Sequence, residues 1–269
     1  LKMNNNFTPW PDIDFSWPND AISRISEAIR SLADAMSEVQ TKISPLLETI
    51  EQYKQQFNNF GTDLANALRP LVAIEKMGNA QFVYWDYMTS GYVNTILDAN
   101  NTNKILRELM YKDKFNTVNN TIDKTIASPE LCKHMRLYSQ SVKAFRQGDS
   151  DLAVTGFTSV FDGLLSDISK NTSSNLTPRI KTIKEKLEKD ELLDQDEYAT
   201  LTLALTFEKT LDTFSAYSNF SQKEPKGLNR HWIAHGRSTR KKTKLDCVKM
   251  INLIYGLLLI EQLDSNDTN

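Results

Sequence analysis

The 269 residues contain only two cysteines, Cys132 and Cys247, and neither sits in a CxxC or Cys/His spacing. Two lone thiols argue against a disulfide framework and fit a reducing compartment. Long apolar runs are also scarce. The longest, Met250 to Ile260, includes Asn252 and is too short to span a bilayer. No apolar signal core stands behind the first residues, Leu1 to Asn6. An excess of charge of one sign is missing too. The 32 Lys and Arg residues nearly balance 34 Asp and Glu, giving a net charge of −2, so any affinity for a polyanion must be local. The chain has no glycine-rich phosphate loop, no Cys/His nucleophile pair and no nucleotide-binding βαβ pattern. Strand-type alternation with turn pairs is absent as well. These absences leave a soluble, cytoplasmic, all-α protein as the expectation, with no cofactor and no membrane partner.

What is present is helical periodicity. An irregular arm over residues 1–19 carries Pro9, Pro11, Pro18, Trp10 and Trp17. From Ala21 to about Phe60, apolar residues recur at spacings of three and four, which suits either a coiled coil or a helix packed on its own domain. Residues 62–77 and 80–97 read as helices, the second with the aromatic cluster Phe82, Tyr84, Trp85 and Tyr87. Between 98 and 128 the chain turns polar, with one short helix around Leu106 and Met110 and a domain boundary expected within 115–128. The organisation expected is an arm over 1–19, an N-terminal helical region over 20–127, a C-terminal helical domain over 128–264 and a tail over 265–269. In the C-terminal domain, Ser128 and Pro129 open a helix that Gly148 stops. Asp149 and Ser150 open the next, to about 169. A charged helix runs from Thr177 to about Lys189, another starts at Asp194 or Asp196, and an apolar helix closes the chain over about 243–263.

One stretch concentrates reactive side chains: LNRHWIAHGRSTRKKTK, residues 228–244. Between Lys223 and Lys244 there are eight cations and one carboxylate, Glu224. Such a patch either attracts phosphate or is a solvated corner. His231 and His235 are four apart, which places both on one helical face and suits metal chelation. A zinc-protease pattern would need glutamate where Trp232 stands, and no third ligand is nearby, so no metal is expected. Arg230 and His235 lie about 140° apart on a regular helix, so they converge only where the turn is irregular or a second copy contributes. Gly236 makes such a break plausible. Arginine beside histidine suits metal-free phosphodiester cleavage. The imidazole moves the proton of a 2′-hydroxyl or of the leaving oxygen, and the guanidinium stabilises the charged phosphorane.

Arg230-x4-His235, inside Asn229-Arg230-His231-Trp232-Ile233-Ala234-His235-Gly236, resembles the R-x4–6-H signature of the HEPN superfamily of α-helical domains. The preceding hairpin, LYSQSVKAFRQGDSDLAVTGFTSVFDGLL, is similar to the family's first two helices. The resemblance spans about 129–263, with the charged insert at 178–196 as a departure. It implies a metal-independent endoribonuclease of the toxin or phage-defence kind that acts on RNA, dimerises around a composite cleft and answers to a regulatory partner. It makes Arg230 and His235 the catalytic pair, His231 an assistant and Asp162 the acid that supports the arginine. Asn229, Arg237, Arg240, Lys241 and Lys242 would hold substrate. The alternative is a HEPN-like module that binds nucleotide, RNA or protein without cutting.

Overall fold

The computed structural model describes residues 72–83, 90–171, 173, 176–187 and 197–266. The expected arm, the long helix over 21–60 and the aromatic residues Tyr84, Trp85 and Tyr87 lie outside them. Among the described residues every regular element is a helix and none is a strand, so the chain is all-α. None of those helices is long and apolar enough to cross a membrane. The chain divides into two compact units, residues 1–72 and 73–269. The second is described below.

After helical residues 72–79 come α1 (Ser90–Leu97), α2 (Thr102–Lys112) and α3 (Asn116–Ala127). Two expectations change here. Residues 82 and 83 are not helical, because Val83 instead gives its N–H to the Asn252 side-chain oxygen at 2.6 Å. The polar stretch after 98 holds two helices rather than one. Asn101 caps α2 through the Lys104 N–H, and Asp113 caps the start of α3 through the Thr117 N–H. Each helix spends a few buried side chains on the core, Leu106 and Met110 from α2, Val118 and Ile122 from α3. These sit in one cluster with the C-terminal helices, so the division between compact units falls after Val72 rather than within 115–128.

Pro129–His134 forms a 3₁₀ turn, which runs straight into α4 (Met135–Gln147). Gly148 ends α4 at φ +90°, a conformation that costs glycine little. Its successor Asp149 donates its N–H to Ala144 at 2.9 Å, closing the turn. α5 (Ser150–Ile168) then folds back along α4. Its inner face carries Phe157, Val160, Phe161 and Leu164, all fully buried. α6 (Leu176–Leu187) and α7 (Glu197–Ser215) follow, and Phe214 of α7 meets the edge of Phe161 at 5.7 Å. The short α8 (Arg230–Ala234) packs on α5. α9 (Lys244–Asn266) is the central rod, with every residue from Leu245 to Leu258 buried. An apolar helix of this kind belongs inside a bundle.

Two polar groups on α9 have assigned work. Asn252 accepts from Val83, and the Asp246 carboxylate caps its own helix through the Thr243 N–H at 2.8 Å. Gly256 lets the 82–83 segment and α7 approach α9 closely. A Cβ there would lie 2.9 Å from Val83 Cγ1 and 3.2 Å from Phe207 Cδ2. Gly256→Ala is therefore expected to overpack the core, lowering stability in chemical denaturation by about 1–3 kcal/mol while the helical circular dichroism of the folded protein is kept.

Candidate active site

Two amides and a glycine place the Arg230 segment. The Gln81 side chain is buried, and its amide makes a two-point bridge to the Leu228 backbone. Its nitrogen donates to the Leu228 carbonyl at 2.6 Å and its oxygen accepts the Leu228 N–H. Gly227 makes room for this bridge, since a Cβ there would stand 2.5 Å from the Gln81 oxygen. Next comes Asn229, also buried. Its oxygen caps α8 by accepting the Trp232 N–H at 3.1 Å, and its nitrogen donates to the Ala216 carbonyl at 2.8 Å. Trp232 and Ile233 anchor α8 in the core. The helix then stops: His235 occupies the C-cap, Gly236 takes φ +63°, and the N–H groups of Arg237 and Ser238 both return to the Trp232 carbonyl. The five-residue helix thus ends at His235, with Arg230 at its first position.

Arg230 reaches α5 and meets Asp162. Its Nε donates to both carboxylate oxygens, at 2.9 and 3.2 Å, and one terminal nitrogen lies 2.8 Å from Oδ2. This side-on fork fixes the plane of the guanidinium. Both side chains are about one-fifth exposed, 22% and 20%, so the pair is neither sealed in the core nor loose in solvent. Among the described residues no hydrogen bond reaches the other terminal nitrogen. Arg230 and His235 do not bond to each other.

The imidazoles form their own group. The His231 and His235 rings meet edge-on with centroids 4.7 Å apart. Phe220 stacks flat on His231 at 4.4 Å, its plane only 4° away, and touches the His235 ring at 5.7 Å. Tyr217 lies on His231 at 5.2 Å. The Arg237 guanidinium sits over Phe220 at 5.5 Å. Burial pushes the His231 pKa below its ordinary value, and the charges of His235 and Arg230 push the same way. His231 is therefore neutral at pH 7 and can accept a proton or a hydrogen bond there.

The basic loop is less free than its sequence implies. Glu224, the lone acid, accepts the N–H groups of Thr239 and Arg240 at 2.9 and 3.1 Å and the Ser238 hydroxyl. Its carboxylate also pairs with Lys242 at 3.5 Å, the two side chains being 13% and 5% exposed. Arg240 is forked onto Asp246 at 3.0 and 3.3 Å. The Lys242 N–H bonds the Asp151 carboxylate at 3.0 Å. Arg240 and Lys242 thus tie the loop to α5 and α9, and Asn229 is a buried cap. Arg237 and Lys241 remain exposed. Among the described residues no three of His, Cys, Asp and Glu gather as metal ligands would. The third histidine, His134, bonds Asp167 at 3.2 Å beside Lys133.

Sequence reasoning missed Gln81, Glu224, Tyr217 and Phe220. Only Glu224 left a signal, as the single carboxylate within the cationic run.

Two outcomes follow from these charges. Hydrogen bonds and Lys242 hold the Glu224 carboxyl at about 2, against an ordinary 4.5, although burial alone would raise it. A carboxylate depressed in this way stabilises the fold above its unfolded pKa and loses that contribution as pH falls through its folded value. Stability should decline between pH about 4.5 and 2, and Glu224→Gln should make that decline shallower in pH-dependent denaturation. For His231, proton NMR should place its titration below that of a free histidine, and Arg230→Ala should move it upward.

No protein-family model matches the chain, and no match was found among curated proteins or solved structures.

Proposed function

We propose that this protein is a metal-independent endoribonuclease of the HEPN type, acting as a toxin or phage-defence effector. The observation that carries the reading is the Arg230 guanidinium, forked onto Asp162, whose charge acts on His231, one of two imidazoles in edge contact. Arginine in that state is an oriented donor with a terminal nitrogen to spare, which is what a phosphorane oxygen requires. His231 and His235 supply the two imidazoles for base and acid, with burial pushing the His231 pKa below its ordinary value.

In the proposed reaction the 2′-oxygen attacks phosphorus as an imidazole takes its proton. The bond from phosphorus to the 5′-oxygen breaks, and that oxygen leaves with a proton from an imidazole. The products are a 2′,3′-cyclic phosphate and a 5′-hydroxyl end. Arg237 and Lys241 hold the flanking phosphates as exposed cations. A second copy of the chain brings a second Arg230 and His235 to the same cleft, and a regulatory partner restrains the pair.

The reading is tested with purified protein and single-stranded RNA in EDTA. His235→Ala should slow cleavage by about 10²–10⁴-fold, the usual worth of one positioned acid–base. Arg230→Ala should slow it by about 10²–10³-fold. Asp162→Asn should give a smaller loss, because the guanidinium keeps its charge but loses its fixed plane. Equal cleavage by wild type and all three variants would refute the assignment. Salt-sensitive RNA binding with no cleavage would instead favour the non-catalytic binding module.

A further inference from the structure

Tyr217 is the most exposed large hydrophobic side chain among the described residues, at 81%. Its place in the fold is nonetheless fixed. It follows Ala216, whose carbonyl is held by the Asn229 side chain at 2.8 Å, and Asn229 is also the cap of the helix that begins with Arg230. One buried amide therefore sets both the position of Tyr217 and the position of the candidate catalytic arginine. The Tyr217 ring lies 5.2 Å from His231, and behind His231 stands Phe220, coplanar with it at 4.4 Å.

We propose that Tyr217 is a stacking platform for one nucleobase of a single-stranded RNA, next to the scissile linkage. Three features favour this occupant. The ring is open, while one side of it meets the His231 ring at 5.2 Å with the planes 47° apart. The loop that carries it also carries the exposed cations Lys223 and Lys226, so aromatic surface and positive charge alternate as single-stranded nucleic acid requires. Finally, the platform adjoins the imidazole pair, so a base stacked there leaves its own phosphate beside the acid–base groups. The base lies on the outer face of Tyr217. A base inserted between Tyr217 and His231 would need about 7 Å, twice the rise of one base, and the two rings are 5.2 Å apart.

The inference rests on the ribonuclease reading for its choice of RNA, but its test does not need cleavage. The probe is a short single-stranded 2′-O-methyl RNA with one 2-aminopurine, which lacks the attacking hydroxyl and reports stacking by loss of fluorescence. Wild-type protein should bind it and quench it. Tyr217→Ala should bind about tenfold more weakly or worse, the loss of one stacked base, and should not quench. Tyr217→Phe should keep both properties. A duplex of the same sequence, with its bases already paired, should bind without Tyr217-dependent quenching. The proposal is overturned if Tyr217→Ala binds and quenches like wild type, if Tyr217→Leu does as well as tyrosine, or if the single strand does not bind. Cleavage of ordinary RNA by wild type and His235→Ala is read separately. Quenching that needs Tyr217, without His235-dependent cleavage, would keep the platform and sink the ribonuclease. Cleavage that needs His235, with quenching indifferent to Tyr217, would do the reverse.

Discussion

The bond between Arg230 and Asp162 organises the site, because it fixes the short helix that begins with Arg230 against α5 by a charged, directional contact. α8 is only five residues long and has no stability as an isolated helix. Beside the Gln81 and Asn229 bonds, it is kept in place by Trp232 and Ile233 in the core and by the side-on fork from Arg230 to α5. The fork is half-shielded, so its charges attract more strongly than surface charges do and are less costly to desolvate than core charges. It also uses Nε and one terminal nitrogen, which leaves the guanidinium rigid yet incomplete. A lysine could keep the charge here but not the plane.

The same economy governs the other cations. Eight positive residues between Lys223 and Lys244 would repel one another if all faced solvent from one loop. Glu224 and Asp246 absorb two of them, and the loop closes around those carboxylates. What reaches the surface is a smaller set with Arg237 and Lys241 in it, held on a scaffold made by the others. Lys249 marks the cost of adding more: burial on α9 pushes its amine down to about 8, and Arg240 and Arg107 push it the same way.

The helical class and much of the C-terminal hairpin were legible in the sequence because their signals are local. Gly148 needs only its own φ to end α4, and a stripe of apolar residues on α5 needs only its own period. The polar stretch over 98–128 hid a second helix because its caps, Asn101 and Asp113, outweigh its weak apolar pattern. Of the site residues, Asp162 could be named because the resemblance calls for an acid on the second helix and this carboxylate is flanked by Phe161 and Leu164. The placement of Arg240 and Lys242 could not be read, since a basic run looks solvated until a loop folds its acid back onto it. Gln81 lies 147 positions from the backbone it holds, with no local pattern to announce the pairing.

The imidazole pair explains why so small a segment could do acid–base work. Two rings 4.7 Å apart, beside a fixed guanidinium, resist carrying two protons at once. The charge of one ring opposes protonation of the other, which helps to push the His231 pKa below its ordinary value. A group of that kind contains an acid and a base together without any carboxylate to tune them. Phe220 sharpens this by covering one face of His231, which withholds solvent from the ring that is already the harder to charge. The assignment of roles then follows from exposure rather than from intrinsic chemistry. In the proposed reaction His235, open to solvent, is the ring that meets the substrate first, whereas His231 is stacked and partly covered.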